Sequence, residues 1–218
     1  MSKKPIIVFE GIEGSGKSLH IKNVQRYLLK KKIKFISIRE PGGSKNSEKI
    51  RKLILNKNSN FDKITDLLLY LASRNENIIN IIKKNVNKKI ILIDRFIDST
   101  IAYQHYGMGV NLNLINFINK FLLKNIKIDF TFLNIVNPKN MKLRLKKRNK
   151  LNRYDQFNSD FYRRVQNAFI KISKKNPKKY QIINSNLNIN DNKEIIITKL
   201  LKIIKWNSIL LIKHYYMV

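Results

Sequence analysis

Gly11-Ile12-Glu13-Gly14-Ser15-Gly16-Lys17-Ser18 is the stretch whose reading decides the fold. The apolar run Ile6-Ile7-Val8-Phe9 stands just before it, inside a strand pattern over Pro5–Glu10. A helical pattern with Ile21, Val24 and Leu28 on one face follows over Lys17–Lys32. Strand, glycine loop and helix form the setting in which G-x-x-x-x-G-K-[ST] makes a phosphate site. The glycines let backbone N–H groups curl around a polyphosphate that a Cβ would keep away. Lys17 can reach the outer phosphates, the Ser18 hydroxyl can hold Mg²⁺, and the helix adds its positive N-terminal end. An ordinary glycine-rich turn is the plain alternative, and the flanking strand and helix argue against it.

At 218 residues the chain is long enough for one domain with a real core. It has no cysteine, so disulfides and thiolate metal sites are excluded, and a reducing, cytoplasmic location is expected. MSKKPIIVFE has too short an apolar run for a secretory signal, and no stretch spans a membrane. The formal charge of +31 invites a nucleic-acid or anionic-membrane reading. Lysine is spread over every segment, however, and Lys, Asn and Ile supply nearly half the chain. Composition bias accounts for the charge, so no specific nucleic-acid partner is expected, only salt-sensitive sticking. Against that background the scarce residues carry information. The seven glycines fall at 11/14/16, 42/43 and 107/109, and most arginines lie in or beside the motifs below. A chain rich in lysine that keeps an arginine has a use for its planar, two-pronged donor.

Glu13 places a carboxylate among amides meant for phosphate, which is costly unless it meets a cation or a hydroxyl. A contact to Mg²⁺, a contact to a sugar hydroxyl and a solvated loop carboxylate are its open readings. A second strand over Ile33–Ile38 leads into Arg39-Glu40-Pro41-Gly42-Gly43, where Pro41-Gly42 forces a turn. Arg39 then stands at the carboxyl end of a strand, suited to a second phosphate or to an ion pair with Glu40 or another acid. Helices are expected over Ser44–Asn56 and Lys63–Asn85. Tyr70 and Arg74, spaced i, i+4, share a face that can stack a base and reach its edge, although a helical tyrosine is more often core. Lys89–Asp94 is a third strand ending in an acid, the pattern that delivers a carboxylate near the loop's metal. Arg95 follows at once and could pair with Asp94.

Ser99, Thr100, Tyr103 and Gln104 offer hydroxyls and an amide at helical spacing. A helix over Asn111–Asn125 and a strand over Asp129–Val136 come next. Asn137-Pro138 reads as a cap with proline at the first helical position. Met141–Lys150 follows, with Arg144 and Arg148 one turn apart and Arg153 beyond. This basic stretch could close over a nucleotide as a lid, or be a solvated basic run. A helix over Asp160–Asn176, a fifth strand over Tyr180–Asn184 and a last helix over Asp191–Trp206 complete the pattern. The apolar tail 207–218 is expected to pack on the body or on a partner. His20, His105 and His214 do not cluster, which argues against a histidine metal site.

With these residues in place, the chain resembles the bacterial thymidylate (dTMP) kinases over roughly residues 5 to 206. The resemblance rests on FEGIEGSGKS at 9–18, REPGG at 39–43, LYLASR at 69–74, DRFIDSTIAYQ at 94–104 and RNKLNRYDQ at 148–156. The first motif says only P-loop NTPase; the second and fourth together are far more specific. The resemblance implies an α/β P-loop NTPase fold, a five-stranded parallel sheet flanked by helices with a mobile lid at about 141–156, and a homodimer. The domain then spans 1–206, with 207–218 as an apolar extension. It implies transfer of the γ-phosphoryl group of Mg-ATP to dTMP. Gly11, Ile12, Glu13, Gly14, Ser15, Gly16, Lys17 and Ser18 would bind the ATP phosphates, and Ser18, Glu13 and Asp94 the Mg²⁺.

By motif match Tyr70 stands for the aromatic that stacks on thymine, usually Phe, and Arg74 for the arginine at the base edge. Arg39 and Arg95 match the arginines around the dTMP phosphate, and Pro41 belongs to the same motif. Ser99, Thr100, Tyr103 and Gln104 match the base and sugar wall. Glu13 matches the acid near the sugar 3′-hydroxyl and the metal. Arg148 and Arg153 match lid arginines, which in this subgroup act catalytically with Lys17, Glu13 and Arg95, because GIEGSGKS holds no arginine. Phe96 and Tyr70 depart from the usual residues. A nucleoside kinase or another monophosphate kinase, and a basic P-loop protein that binds nucleic acid, are the rival readings.

Overall fold

The computed structural model describes residues 4–148 and 151–215, with residues 205–215 described in backbone only. Five parallel strands form one sheet in the order β2-β3-β1-β4-β5. They are β1 (Ile6–Glu10), β2 (Phe35–Arg39), β3 (Ile90–Asp94), β4 (Phe130–Ile135) and β5 (Tyr180–Asn184). Strand β1 lies in the middle and is buried throughout, which explains why it reads as an unbroken apolar run. Its residues alternate between two cores. Ile7 and Phe9 meet Ile21, Val24 and Leu28 of α1 (Lys17–Lys30), together with Ile196 and Leu200 of the last helix. Ile6 and Val8 face the other way, toward Ile78, Ile82 and Phe96. Each such fully buried side chain contributes about 1.5–3 kcal/mol.

Register brings the chemistry to one edge. Asp94 lies opposite both Phe9 of β1 and Arg39 of β2. The glycine loop, Asp94 and Arg39 therefore emerge side by side at the carboxyl ends of three neighbouring strands, where ligands of open parallel sheets bind.

The helices start where their caps dictate. Ser44 accepts from Ser47 N ahead of α2 (Lys45–Leu55), and Asp62 accepts from Ile64 N at 2.7 Å ahead of α3 (Lys63–Asn77). Helix α3 runs on through a π-helical turn, Ile78–Ile82, and a short α turn, Lys83–Asn85. Ile97–Thr100 likewise continues as a π-helix over Ile101–Gly107. Asn137 caps the helix Pro138–Lys146, which ends four residues before the expected Lys150. Beyond it Arg153–Gln156 form a 3₁₀ turn. Asn149 and Lys150 lie outside the described residues. The last helix also departs from expectation. It runs over Ile189–Tyr215 and does not stop at Trp206, since no glycine or proline follows Pro177 to end it. The packing of the tail's side chains lies outside the described residues. No helix of the described residues is long and apolar enough to cross a membrane.

Candidate active site

The loop needs glycine at its first position for a visible reason. Gly11 has φ +136°, and a Cβ there would lie 2.2 Å from the Asn134 carbonyl oxygen on β4. Lys17 curls back over this loop. Its Nζ donates to Gly11 O at 2.7 Å, Ile12 O at 2.9 Å and Ser15 Oγ at 3.3 Å. Burial, and next the charge of Arg95, push its pKa down to about 7.

Beside it, Ser18 Oγ donates to Asp94 Oδ2 at 3.3 Å. Asp94 Oδ1 is buried and has no hydrogen-bond partner among the described residues. A hydroxyl next to a carboxylate with an orphaned oxygen suits a hard divalent cation.

Glu13 has met its cation, and it is Arg95. Arg95 Nη2 donates to Glu13 Oε1 at 2.7 Å, and the Tyr103 hydroxyl donates to Glu13 Oε2. Burial alone would raise the Glu13 pKa, but Arg95, Lys17 and Tyr103 outweigh it and hold the group below the usual carboxylate range. The expected pairing of Arg95 with Asp94 is replaced by this one. Arg95 has φ +67°, a left-handed backbone that turns its side chain over the site. Its guanidinium also donates to Ser99 Oγ at 3.3 Å and lies 5.2 Å above the Tyr103 ring.

A cavity of about 590 Å³ joins these groups. Lys17, Ser18, Glu13 and Asp94 line it beside the loop, together with Arg39, Pro41, Arg95 and Ser99. Tyr70, Arg74, Thr100, Tyr103 and Gln104 line it as well, with Arg148 from the lid stretch. Gly11, Ile12, Gly14, Ser15 and Gly16 contribute the loop backbone behind Lys17 and are not part of the lining. Arg39 is 55% exposed and paired with Glu48 at 3.2 Å, so the nearby acid it meets is not Glu40. Arg148 is 40% exposed and donates to Asp155 Oδ1 at 2.8 Å.

Two predicted residues are more committed than their motifs suggest. Arg74 is 1% exposed and places four N–H bonds on protein: Glu40 Oε2, Asn119 Oδ1, Phe96 O and Thr100 Oγ1. One N–H, on Nη1, remains for a ligand. Arg153 is absent from the cavity lining; its Nη2 donates to Asp66 Oδ1, and its guanidinium lies beside the Phe61 and Tyr154 rings.

Several roles escaped the sequence reading. Arg51 lines the cavity and donates to Pro41 O at 2.5 Å. Arg144 bridges the Gly14 and Ser185 carbonyls at 3.0 and 2.6 Å, tying the loop to the segment after β5. Glu10 is fully buried and accepts from Phe96 N and Ser99 Oγ, which fixes the start of the helix that carries Tyr103. For Asp66 a signal existed: Asp66, Tyr70 and Arg74 repeat every fourth residue on one helix face.

A central strand feeding a glycine loop, with an acid at the end of the adjacent strand and a lysine over the loop, defines a P-loop NTPase fold. The family model described as "Thymidylate kinase" matches residues 9–196. A thymidylate kinase of Clostridium novyi (strain NT) is 39% identical over 193 residues, covering 85% of this chain and 93% of the relative. One of Acholeplasma laidlawii (strain PG-8A) is 38% identical over 200 residues, covering 90% and 98%. The crystal structure of thymidylate kinase from Ehrlichia chaffeensis superposes with a TM-score of 0.74 at 34% identity, covering 91% of this chain and 98% of that one. The chain belongs to the thymidylate kinase family.

Proposed function

We propose that this chain transfers the γ-phosphoryl group of ATP to the 5′-phosphate of dTMP, giving dTDP and ADP. The observation that carries this is one continuous cavity lined by Lys17, Ser18 and Asp94, by Arg39 and Arg95, and by Tyr70, Arg74 and Gln104. The acceptor phosphate is already an anionic nucleophile, so no strong base is required. One of its oxygens bonds to the γ-phosphorus as the bond to the bridging oxygen of ADP breaks. The protein's part is positioning and charge neutralisation.

In this reading the N–H groups and side chains of Gly11–Ser18 cradle the donor phosphates, and Lys17 leaves its loop carbonyls for them. Arg95 and Arg39 hold the acceptor phosphate, with Pro41 shaping the turn beside it. Tyr70 stacks on thymine, Arg74 offers its last N–H to the base edge, and Thr100 and Gln104 wall the base. Ser99, Tyr103 and Glu13 border the sugar, and Arg148 meets the transferring group. Arg153 anchors the turn at the end of the lid stretch. Ser18 and Asp94 would hold Mg²⁺, with Glu13 nearby; the ion, when bound, supplies positive charge between the donor phosphates. The domain on this reading is residues 1–206, with 207–218 as an appended tail.

A homodimer in the cytoplasm completes the proposal. Leu114, Phe117 and Phe121 form an exposed stripe at helical spacing, and Phe117 is 72% exposed. Ile64 and Leu68 are exposed on α3, which packs against the same helix. The test is ADP release from Mg-ATP with dTMP, dUMP, dCMP, dGMP or thymidine as acceptor. Turnover with dTMP, and weaker turnover with dUMP, is expected. Turnover with thymidine alone would make the protein a nucleoside kinase.

A further inference from the structure

Asp66 has no place in the reaction just described, yet three side chains from two other elements converge on it. It is 1% exposed on α3, one turn before Tyr70. Its Oδ1 accepts from Arg153 Nη2, and its Oδ2 accepts from the Tyr154 hydroxyl at 2.5 Å and from Gln104 Nε2 at 3.2 Å. Arg153 and Tyr154 belong to the 3₁₀ turn Arg153–Gln156 at the end of the lid stretch, and the Tyr154 ring meets Tyr70 edge-on at 5.9 Å.

A carboxylate paired with arginine can only accept hydrogen bonds. It therefore fixes which end of the Gln104 amide faces it: the nitrogen. The oxygen is left over. Among the described residues no hydrogen bond uses Gln104 Oε1, and Gln104 lines the cavity. We propose that Asp66 is a positioning residue that sets which pyrimidine the site accepts, by holding Gln104 with its carbonyl oxygen toward the base. An acceptor there matches the N3–H of thymine or uracil. It opposes the N3 lone pair of cytosine, which would be buried facing another acceptor. This rests on the dTMP kinase reading of the cavity.

The substitution Asp66→Asn tests it. Arg153 donates, so it claims the single amide oxygen of the new side chain and turns the NH₂ toward Gln104. Gln104 then turns over and presents Nε2 to the cavity. The ratio of kcat/KM for dTMP to that for dCMP is expected to fall about tenfold or more, part of it through a gain on dCMP. In a Gln104→Met background, which has no amide to orient, Asp66→Asn is expected to leave that ratio unchanged. An Asp66→Asn enzyme that loses rate equally on both nucleotides overturns the proposal, because Asp66 then serves only the scaffold. So does a ratio that still shifts in the Gln104→Met background. If Asp66→Asn shows no cooperative melting, Gln104→Met alone decides: a wild-type ratio in that variant overturns the proposal. A wild-type enzyme inactive on dTMP would instead overturn the kinase reading itself.

Discussion

Lys17 is where a single proton decides the behaviour of the site. The folded group titrates near about 7 instead of 10.5, so between those values the unfolded chain holds more protons. The contribution of Lys17 to stability therefore rises with pH across that window and is least favourable below it. Polyphosphate favours the ammonium form, so ATP binding at pH 8 is expected to take up part of a proton. Titration calorimetry in two buffers of different ionisation enthalpy reads this directly, and equal heats in both would show Lys17 already charged. Arg74 carries the second prediction at this scale. From its motif alone, Arg74→Ala should raise KM for dTMP and spare kcat. Its burial against Glu40 adds a larger effect, because truncation leaves a buried carboxylate without its cation. A loss of about 3–5 kcal/mol is expected, seen as a lower urea midpoint. The residue types at this site were legible because arginine and glycine are rare here. Their commitments were not, since Glu40 and Asn119 lie far along the chain from Arg74 and nothing in their local sequence announces a long-range partner.

At the scale of elements, helix starts and apolar periods were read well. Ser44, Asn111 and Asn137 each accept backbone N–H groups where their helices begin. The π-helical continuations were not legible, because a single inserted residue barely disturbs an apolar period. The continuation over Ile101–Gly107 carries Tyr103 and Gln104, and its end is packed tightly. A Cβ on Gly107 would lie 2.7 Å from Phe161 Cε2. Gly107→Ala is expected to cost about 1–3 kcal/mol in urea unfolding and to raise KM for dTMP; a variant matching wild type in both would mean that Phe161 can move aside. The lid arginines separate by geometry. Arg148 faces the cavity with its partner Asp155 on the same stretch, so Arg148→Ala is expected to lower kcat by about 10³-fold with a smaller change in KM. Arg153→Ala acts from outside the cavity, through the turn that Asp66 holds. Single-turnover rates with saturating nucleotides distinguish the two.

For the whole molecule, the central parallel strand follows from one motif, whereas the surface does not. A P-loop after the first strand already demands a central parallel strand, but association depends on which side chains are left over once the core is filled. The exposed Phe117 and Phe121 supply such a surface. If the proposed homodimer uses this surface, Phe117→Asp with Phe121→Asp converts dimer to monomer in sedimentation, with little loss of melting temperature. An unchanged sedimentation coefficient would place the interface elsewhere. Finally, the Glu13–Arg95 pair gives the site an incumbent. Any anion that takes Arg95 must first evict a carboxylate already seated there, so charge alone is a poor credential. Free phosphate has nothing further to present, while on the proposed reading a nucleotide also brings a ring for Tyr70 and a sugar for Tyr103. In a cell crowded with small phosphates, the pocket is thereby kept open for the ligand that can use all of it.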